Sequence, residues 1–219
     1  MLWEKKIIFF DFSFSNTISV AIANERKKEI EVQISASSEK FYGAKFIAEV
    51  VNSVMKVSGL KFEQLGKIVI ARGPGSFTAL RALIAYVQGI SFALKIPIYT
   101  TLTFRWIALF LGEFFNKETI NFHLFSGKKN IFYCGEYEFD VDEGKEIKIK
   151  KERIFLCEGE NLTSSLDIER VVPAELGARY LKKLFFAQPD LFDFFLPDQI
   201  HKIKPEYLME VHFKKSVFQ

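Results

Sequence analysis

The sequence predicts an α/β fold of two lobes, in which a three-stranded antiparallel meander leads into alternating helices and strands. Three features of the first half carry that prediction. Short apolar runs at residues 6–11, 17–23 and 29–35 are joined by brief polar breaks, with Asn24, Glu25 and Arg26 forming a turn. The hydrophobic period then lengthens to that of a helix over residues 44–58. Phe46, Ile47, Val50, Val51, Val54 and Val57 recur on one side, opposite a polar stripe of Lys45, Glu49, Asn52, Ser53 and Lys56, and Gly59 stands where a C-terminal cap belongs. A short strand at 67–71 gives way to a glycine-rich turn and a helix at 77–94, then a strand at 97–101 and a helix at 102–115. The order β-β-β-α-β-α-β is that of the repeat unit of the ribonuclease-H-like, actin-like fold, although other α+β folds share parts of it.

The second half carries weaker patterns. Residues 120–125 and 130–139 read as strands about a turn at Gly127 and Lys128, and 145–155 as an edge strand. Residues 168–172 read as a short strand and 174–186 as a helix, and after Pro189 the pattern breaks into short pieces. The expected division is an N-terminal lobe of residues 1–101 and a C-terminal lobe of residues 102–219.

Composition narrows the class. At 219 residues and 49% apolar content the chain can bury a sizeable core and is not of disordered type. The 25 phenylalanines fit a biased genome better than a special aromatic role. Thirty basic against 27 acidic side chains leave a net charge of +3, which does not by itself indicate a nucleic-acid binder. Cys134 and Cys157 form neither a disulfide framework nor a metal quartet; separate buried thiols and a reducing cytoplasm are expected. The start of the chain, with Glu4, Lys5 and Lys6, does not read as a signal peptide. The apolar stretch from 82 to 111 is broken by Gln88, Lys95, Pro97 and Arg105, so no membrane span is expected.

The segment richest in chemistry is Gly73-Pro74-Gly75-Ser76-Phe77-Thr78-Ala79-Leu80-Arg81, between a strand and a helix. Its glycines permit a tight turn, Ser76 or Thr78 can cap the helix, and free amides at that helix start can hold an anion. It is neither a P-loop, lacking Gly-Lys-Ser/Thr, nor a dinucleotide fingerprint, lacking the third glycine. On residue types alone, a turn that merely starts a helix explains it as well.

The segment resembles the Gly-Pro-Gly-Ser-Phe-Thr-Gly-Leu-Arg signature of the TsaB family, also called YeaZ-like or glycoprotease-like, and departs from it at Ala79. Ala82 and Leu83 replace a usual Ile/Val-Gly pair. The opening run Ile-Ile-Phe-Phe-Asp-Phe-Ser, residues 7–13, is similar to the family's first strand ending in Asp-Thr-Ser, with Phe12 in the Thr place. Residues 89–97 look like the family's continuation, Ser126 stands where the family has an Asp, and Pro205, Tyr207 and Leu208 resemble its closing Pro-x-Tyr-Leu. The likeness is firm over the first half of the chain and thin beyond it.

The resemblance implies an actin-like fold without catalysis of its own. It implies a scaffold that pairs with a TsaD-like catalytic subunit, joined by a TsaE-like ATPase, in forming threonylcarbamoyladenosine in tRNA. It implies that tRNA is reached indirectly, that a homodimer forms when the partner is missing, and that no cofactor is needed, leaving room for a nucleotide at a subunit interface. The alternative is an independent ATP-dependent transferase or glycoprotease-like enzyme of the same fold. Three histidines, His123, His201 and His212, lack the helical spacing of a metal pair, and no Gly-x-Ser-x-Gly elbow is present, so neither metal ligands nor catalytic residues are assigned. Asp11 and Ser13 are the candidates for a vestigial phosphate site. The helix at 77–94 is apolar nearly all round, which predicts burial on more than one side. On pattern alone the helix at 102–115 supplies that cover as readily as a partner. The resemblance, to a family that pairs through helices of its N-terminal lobe, implies that the motif residues Gly73, Pro74, Gly75, Ser76, Phe77, Thr78, Leu80 and Arg81, with Leu83, Ile84 and Val87, lie at a partner interface.

Overall fold

A computed structural model describes residues 5–14, 17–37, 44–126, 128–140, 147–159, 165–168 and 172–206. Strands β1 (Lys6–Asp11), β2 (Thr17–Asn24) and β3 (Glu29–Ser37) form the expected meander, and helix α1 (Ala44–Ser58) follows. Then come β4 (Leu65–Ala71), α2 (Phe77–Leu94), β5 (Ile98–Thr101) and α3 (Thr103–Phe115). The later part holds β6 (Thr119–Phe125), β7 (Ile131–Asp140), β8 (Lys148–Glu158), β9 (Leu166–Asp167), α4 (Gly177–Ala187) and β10 (Asp193–Phe195).

Two sheets result. The first has the order β10-β5-β4-β1-β2-β3, with β1, β4 and β5 parallel; the second has the order β8-β7-β6-β9. In β1 and β2 every residue after Lys6 is buried, because both faces of the first sheet are covered. Strand alternation sorts the side chains. Ile8, Phe10, Ile18, Val20 and Ile22 meet α1 and α2 on one face, while Ile7, Phe9, Ala21 and Ala23 meet α3, α4 and the second sheet on the other.

Several expectations are corrected. The strand expected at 168–172 lies earlier, as β9, among the described residues: Ile168 is helical, and its carbonyl accepts from the Val172 amide at 2.9 Å. The pieces after Pro189 include β10, which pairs antiparallel with β5, a long-range pairing that local pattern does not announce. Val57, counted on the buried side of α1, is 68% exposed. Cys134 and Cys157 are joined as a disulfide instead of standing apart. The β7–β8 register sets Cys134 opposite Phe155 and Cys157 opposite Phe132, so the two lie diagonally on one face with Cα atoms 6.3 Å apart. Among the described helices α2 alone has the length and apolarity to cross a membrane, despite Gln88; here it packs on the first sheet, and the Gln88 amide donates to the Ile200 carbonyl at 2.6 Å. Gly127, Tyr207, Leu208 and His212 lie outside the described residues.

Candidate functional site

The carboxyl ends of the parallel strands β1, β4 and β5 converge, which is where open α/β sheets place their ligands. Asp11 ends β1 with the same parity as Ile7 and Phe9, so it points toward α3 and α4. Its cross-strand partner is Ser19. The Ser13 hydroxyl donates to Asp11 Oδ1 at 2.6 Å and lies 2.7 Å from the hydroxyl of Thr103, the first residue of α3. The Thr103 amide in turn donates to the Gly73 carbonyl at 2.8 Å. The two expected site residues are thus brought together with the motif loop and with a third residue, Thr103, that sequence reading missed.

Both are sealed: Asp11 is 1% exposed and Ser13 2%. The cover is the N-terminus of α4. A Cβ at Gly177 would meet Asp11 Oδ2 at 2.3 Å, so glycine alone lets the helix sit on the carboxyl. Ser19, Gln33 and Ser35 all donate to the Glu175 carbonyl, at 2.8, 2.8 and 3.0 Å, and hold this end of the helix on β2 and β3. Burial raises the Asp11 pKa from 3.8 to about 6, against the opposing pull of the Ser13 hydroxyl, the Trp106 indole and the Ser13 amide.

The sign of the consequence follows from linkage. An acid whose folded pKa is raised stabilises fully below its unfolded value and loses that contribution as pH climbs through the folded value. Between pH 3.8 and about 6 the wild-type protein is expected to lose on the order of 3 kcal/mol from this group. Asp11→Asn should flatten that part of the profile and raise the melting temperature at neutral pH; thermal melts across the pH range check both.

One amide of the motif loop is engaged within the protein. The Ser76 amide is used on the Ser13 carbonyl at 2.8 Å. Ser76 holds the N-cap position of α2 without a side-chain capping bond, contrary to the expected role of its hydroxyl; its carbonyl accepts from the Leu80 amide at 2.9 Å. Gly73 has φ +114° and lies against Glu206, whose amide donates to the Arg72 carbonyl at 2.7 Å. The Arg72 guanidinium binds Glu206 and, at 3.2 Å, Asp193 of β10, so the loop is tied to late segments of the chain.

Helix α2 departs from expectation in its faces. Leu80, Leu83 and Val87 are 0% exposed and Ile84 4%; they are core, packed beneath the helix, not interface. Gly73 and Pro74 are also buried. The solvent row comprises Thr78, Arg81, Ala85, Gly89, Phe92 and Ala93, with Phe77, Ala82 and Tyr86 half-buried. The helix is buried on one side only, and its open side is still apolar. Arg81 lies 3.9 Å from the centroid of the Phe77 ring.

Of the histidines, His123 is 8% exposed and its Nδ1 lies 2.9 Å from the Ser165 hydroxyl, while His201 is exposed. Among the described residues no three His, Cys, Asp or Glu side chains are placed to hold a metal ion.

Comparison with known proteins bears on the family and the fold. The family profile described as TsaD, tRNA N6-adenosine threonylcarbamoyltransferase, matches residues 43–158, from α1 through β8. A relative from Buchnera aphidicola (subspecies Acyrthosiphon pisum, strain APS), the tRNA threonylcarbamoyladenosine biosynthesis protein TsaB, is 24% identical over an alignment of 119 positions that covers 49% of this chain. The match spans 54% of that relative's length. The structure of YeaZ from Pseudomonas aeruginosa superposes with a TM-score of 0.66 at 20% identity, over 93% of this chain and all of the other. A protein described as similar to peptidase YeaZ, from the same organism, superposes with a TM-score of 0.68 at 19% identity, over 94% of this chain and all of the other. Those two superpositions bear out the actin-like fold, and with the profile match and the motif they lead to one assignment: the chain belongs to the TsaD family, and within it to the TsaB/YeaZ group.

Proposed function

We propose that this chain is a non-catalytic scaffold subunit that binds a TsaD-like catalytic subunit in tRNA threonylcarbamoyladenosine modification. The observation that carries the reading is the open row of α2. Ala85, Gly89 and Ala93 leave the helix backbone accessible, Phe92 is 63% exposed with the Lys95 ammonium 4.1 Å from its ring centroid, and Arg81 is the one charge within the row itself. A helix face this apolar fits a covering partner, and small side chains let a partner helix approach closely. The curated relative is named for this tRNA modification. The sealed Asp11–Ser13 cluster also suits a subunit that leaves the chemistry to its partner. In this reading a TsaE-like ATPase joins the pair in the cytoplasm, and the open row supports a homodimer when the partner is missing.

The test is co-purification with the TsaD-like protein of the same genome, followed by size exclusion with light scattering, where a one-to-one complex is expected. Gly89→Arg is the matching variant. A Cβ at Gly89 meets nothing within 4 Å, and arginine is the better helix former by about 0.8 kcal/mol, so the monomer should stay folded. The same change sets a long charged side chain in the row and should weaken the complex by at least about a hundredfold, roughly 2.7 kcal/mol. Failure of the folded wild-type chain to bind, or undiminished binding by Gly89→Arg, would overturn the proposal.

A further inference from the structure

The near balance of charge in the whole chain conceals an uneven distribution. A groove of about 640 Å³ runs between the β2–β3 hairpin and α4, lined by Lys28, Arg179, Lys182 and Lys183 with Gln33 and Tyr180; Glu29 adds a carboxylate. The hairpin turn fixes its cations. The Asn24 side-chain oxygen accepts from the amides of Arg26 and Lys27, both at 3.0 Å, and its carbonyl accepts from the amide of Lys28, which adopts φ 58°. Arg26 and Lys27 are thereby held exposed beside the groove. From two separate elements, the ammonium groups of Lys28 and Lys182 come to 5.8 and 5.9 Å from the centroid of the same ring, Phe186. Of the nearby carboxylates, Glu25 pairs outside the groove with Lys67, while Glu113 pairs with the groove's own Lys183, so Lys28, Arg179 and Lys182 set the groove's positive charge against Glu29.

We propose that this groove binds the phosphodiester backbone of RNA. Its cations come from a turn and from successive turns of a helix, so positive charge is supplied from both walls of the groove. None of the lining residues is buried, so the groove lacks the enclosed polar groups that orient a compact phosphorylated ligand. A chain of phosphates needs only such spaced, solvated cations, and it gains affinity by releasing counterions. The choice of RNA among polyanions rests on the function proposed above.

The test is fluorescence anisotropy of a labelled RNA stem-loop titrated with the purified full chain at several salt concentrations. Dissociation constants of about 10⁻⁶–10⁻⁴ M are expected, rising with salt in the manner of phosphate contacts. Lys28→Glu with Lys182→Glu should weaken binding at least tenfold at low salt and flatten the salt dependence. Lys56→Glu with Lys61→Glu makes the same change in net charge on exposed residues near α1, away from the groove, and should leave affinity within about twofold. Equal weakening by the two pairs, absence of RNA binding by the wild-type chain at low salt, or groove-dependent binding to anionic lipid vesicles without RNA binding would each overturn the proposal. Thermal melts verify that both double variants are folded. The groove variant should still co-elute with the TsaD-like protein, and Gly89→Arg should still bind RNA, so failure of one reading is separable from failure of the other.

Discussion

Leu83→Asp is expected to unfold the chain rather than merely detach a partner. Leu83 is 0% exposed and lies in the cluster formed by Ile8, Phe10, Val51, Val54 and Val87 between α1, α2 and the first sheet. The substitution removes a buried aliphatic side chain and places a carboxylate where none of these neighbours offers a hydrogen bond. Loss of transfer energy together with an uncompensated buried charge costs on the order of 5 kcal/mol or more, comparable with the whole stability of many domains. Circular dichroism and a denaturant melt measure this directly, and a native-like melt would place the core elsewhere. Gly89→Arg, on the opposite side of the same helix, should melt like the wild type.

Gly75→Val carries the second large effect. A Cβ at this position would stand 2.5 Å from the Ser13 carbonyl oxygen and 3.0 Å from its Cα. Those are backbone atoms, fixed by the Ser76 amide and by the place of Ser13 between Asp11 and Thr103, so the loop has to move as a whole. A destabilisation of roughly 3 kcal/mol is expected, with parallel loss of the packing around Asp11. Gly89→Ala is the control: in open space on a helix it should stabilise by about 0.8 kcal/mol. The contrast assigns the motif glycine to close backbone contact, with no ligand required to explain it.

These two sites show how far the sequence could be read. The elements of the first half were legible because period-2 and period-3.6 patterns follow from local geometry. Asp11 was legible too, as the acid closing a buried strand. The direction of α2 was not. Its open row of Ala85, Gly89, Phe92 and Ala93 is about as apolar as its core row, so periodicity announces a helix without saying which side is inside. That is why Leu83, Ile84 and Val87 were expected at an interface. The cover on Asp11 was equally hidden, because it depends on Gly177 and Glu175 meeting residues more than 150 positions earlier in the chain. A glycine opening a helix was the available signal, and without the partner strand it had no meaning. The strand at residues 193–195 exists only because β5 offers an edge.

The position of β10 at the margin of the first sheet has a consequence for biosynthesis. Strands β1 to β5 leave the ribosome early, yet the edge strand, the helix over Asp11 and the carboxylates that bind Arg72 all come from residues 175–206. At about 5–20 residues per second, the interval between the emergence of β5 and that of β10 is roughly 5–20 s. Throughout it the nascent chain presents the free edge of β5 and an uncovered sheet face. Such long-range closure slows folding and exposes a strand edge to other chains. The first sheet is therefore completed by segments made well after its central strands, and the yield of folded protein in the cell should depend on how well that waiting surface is shielded.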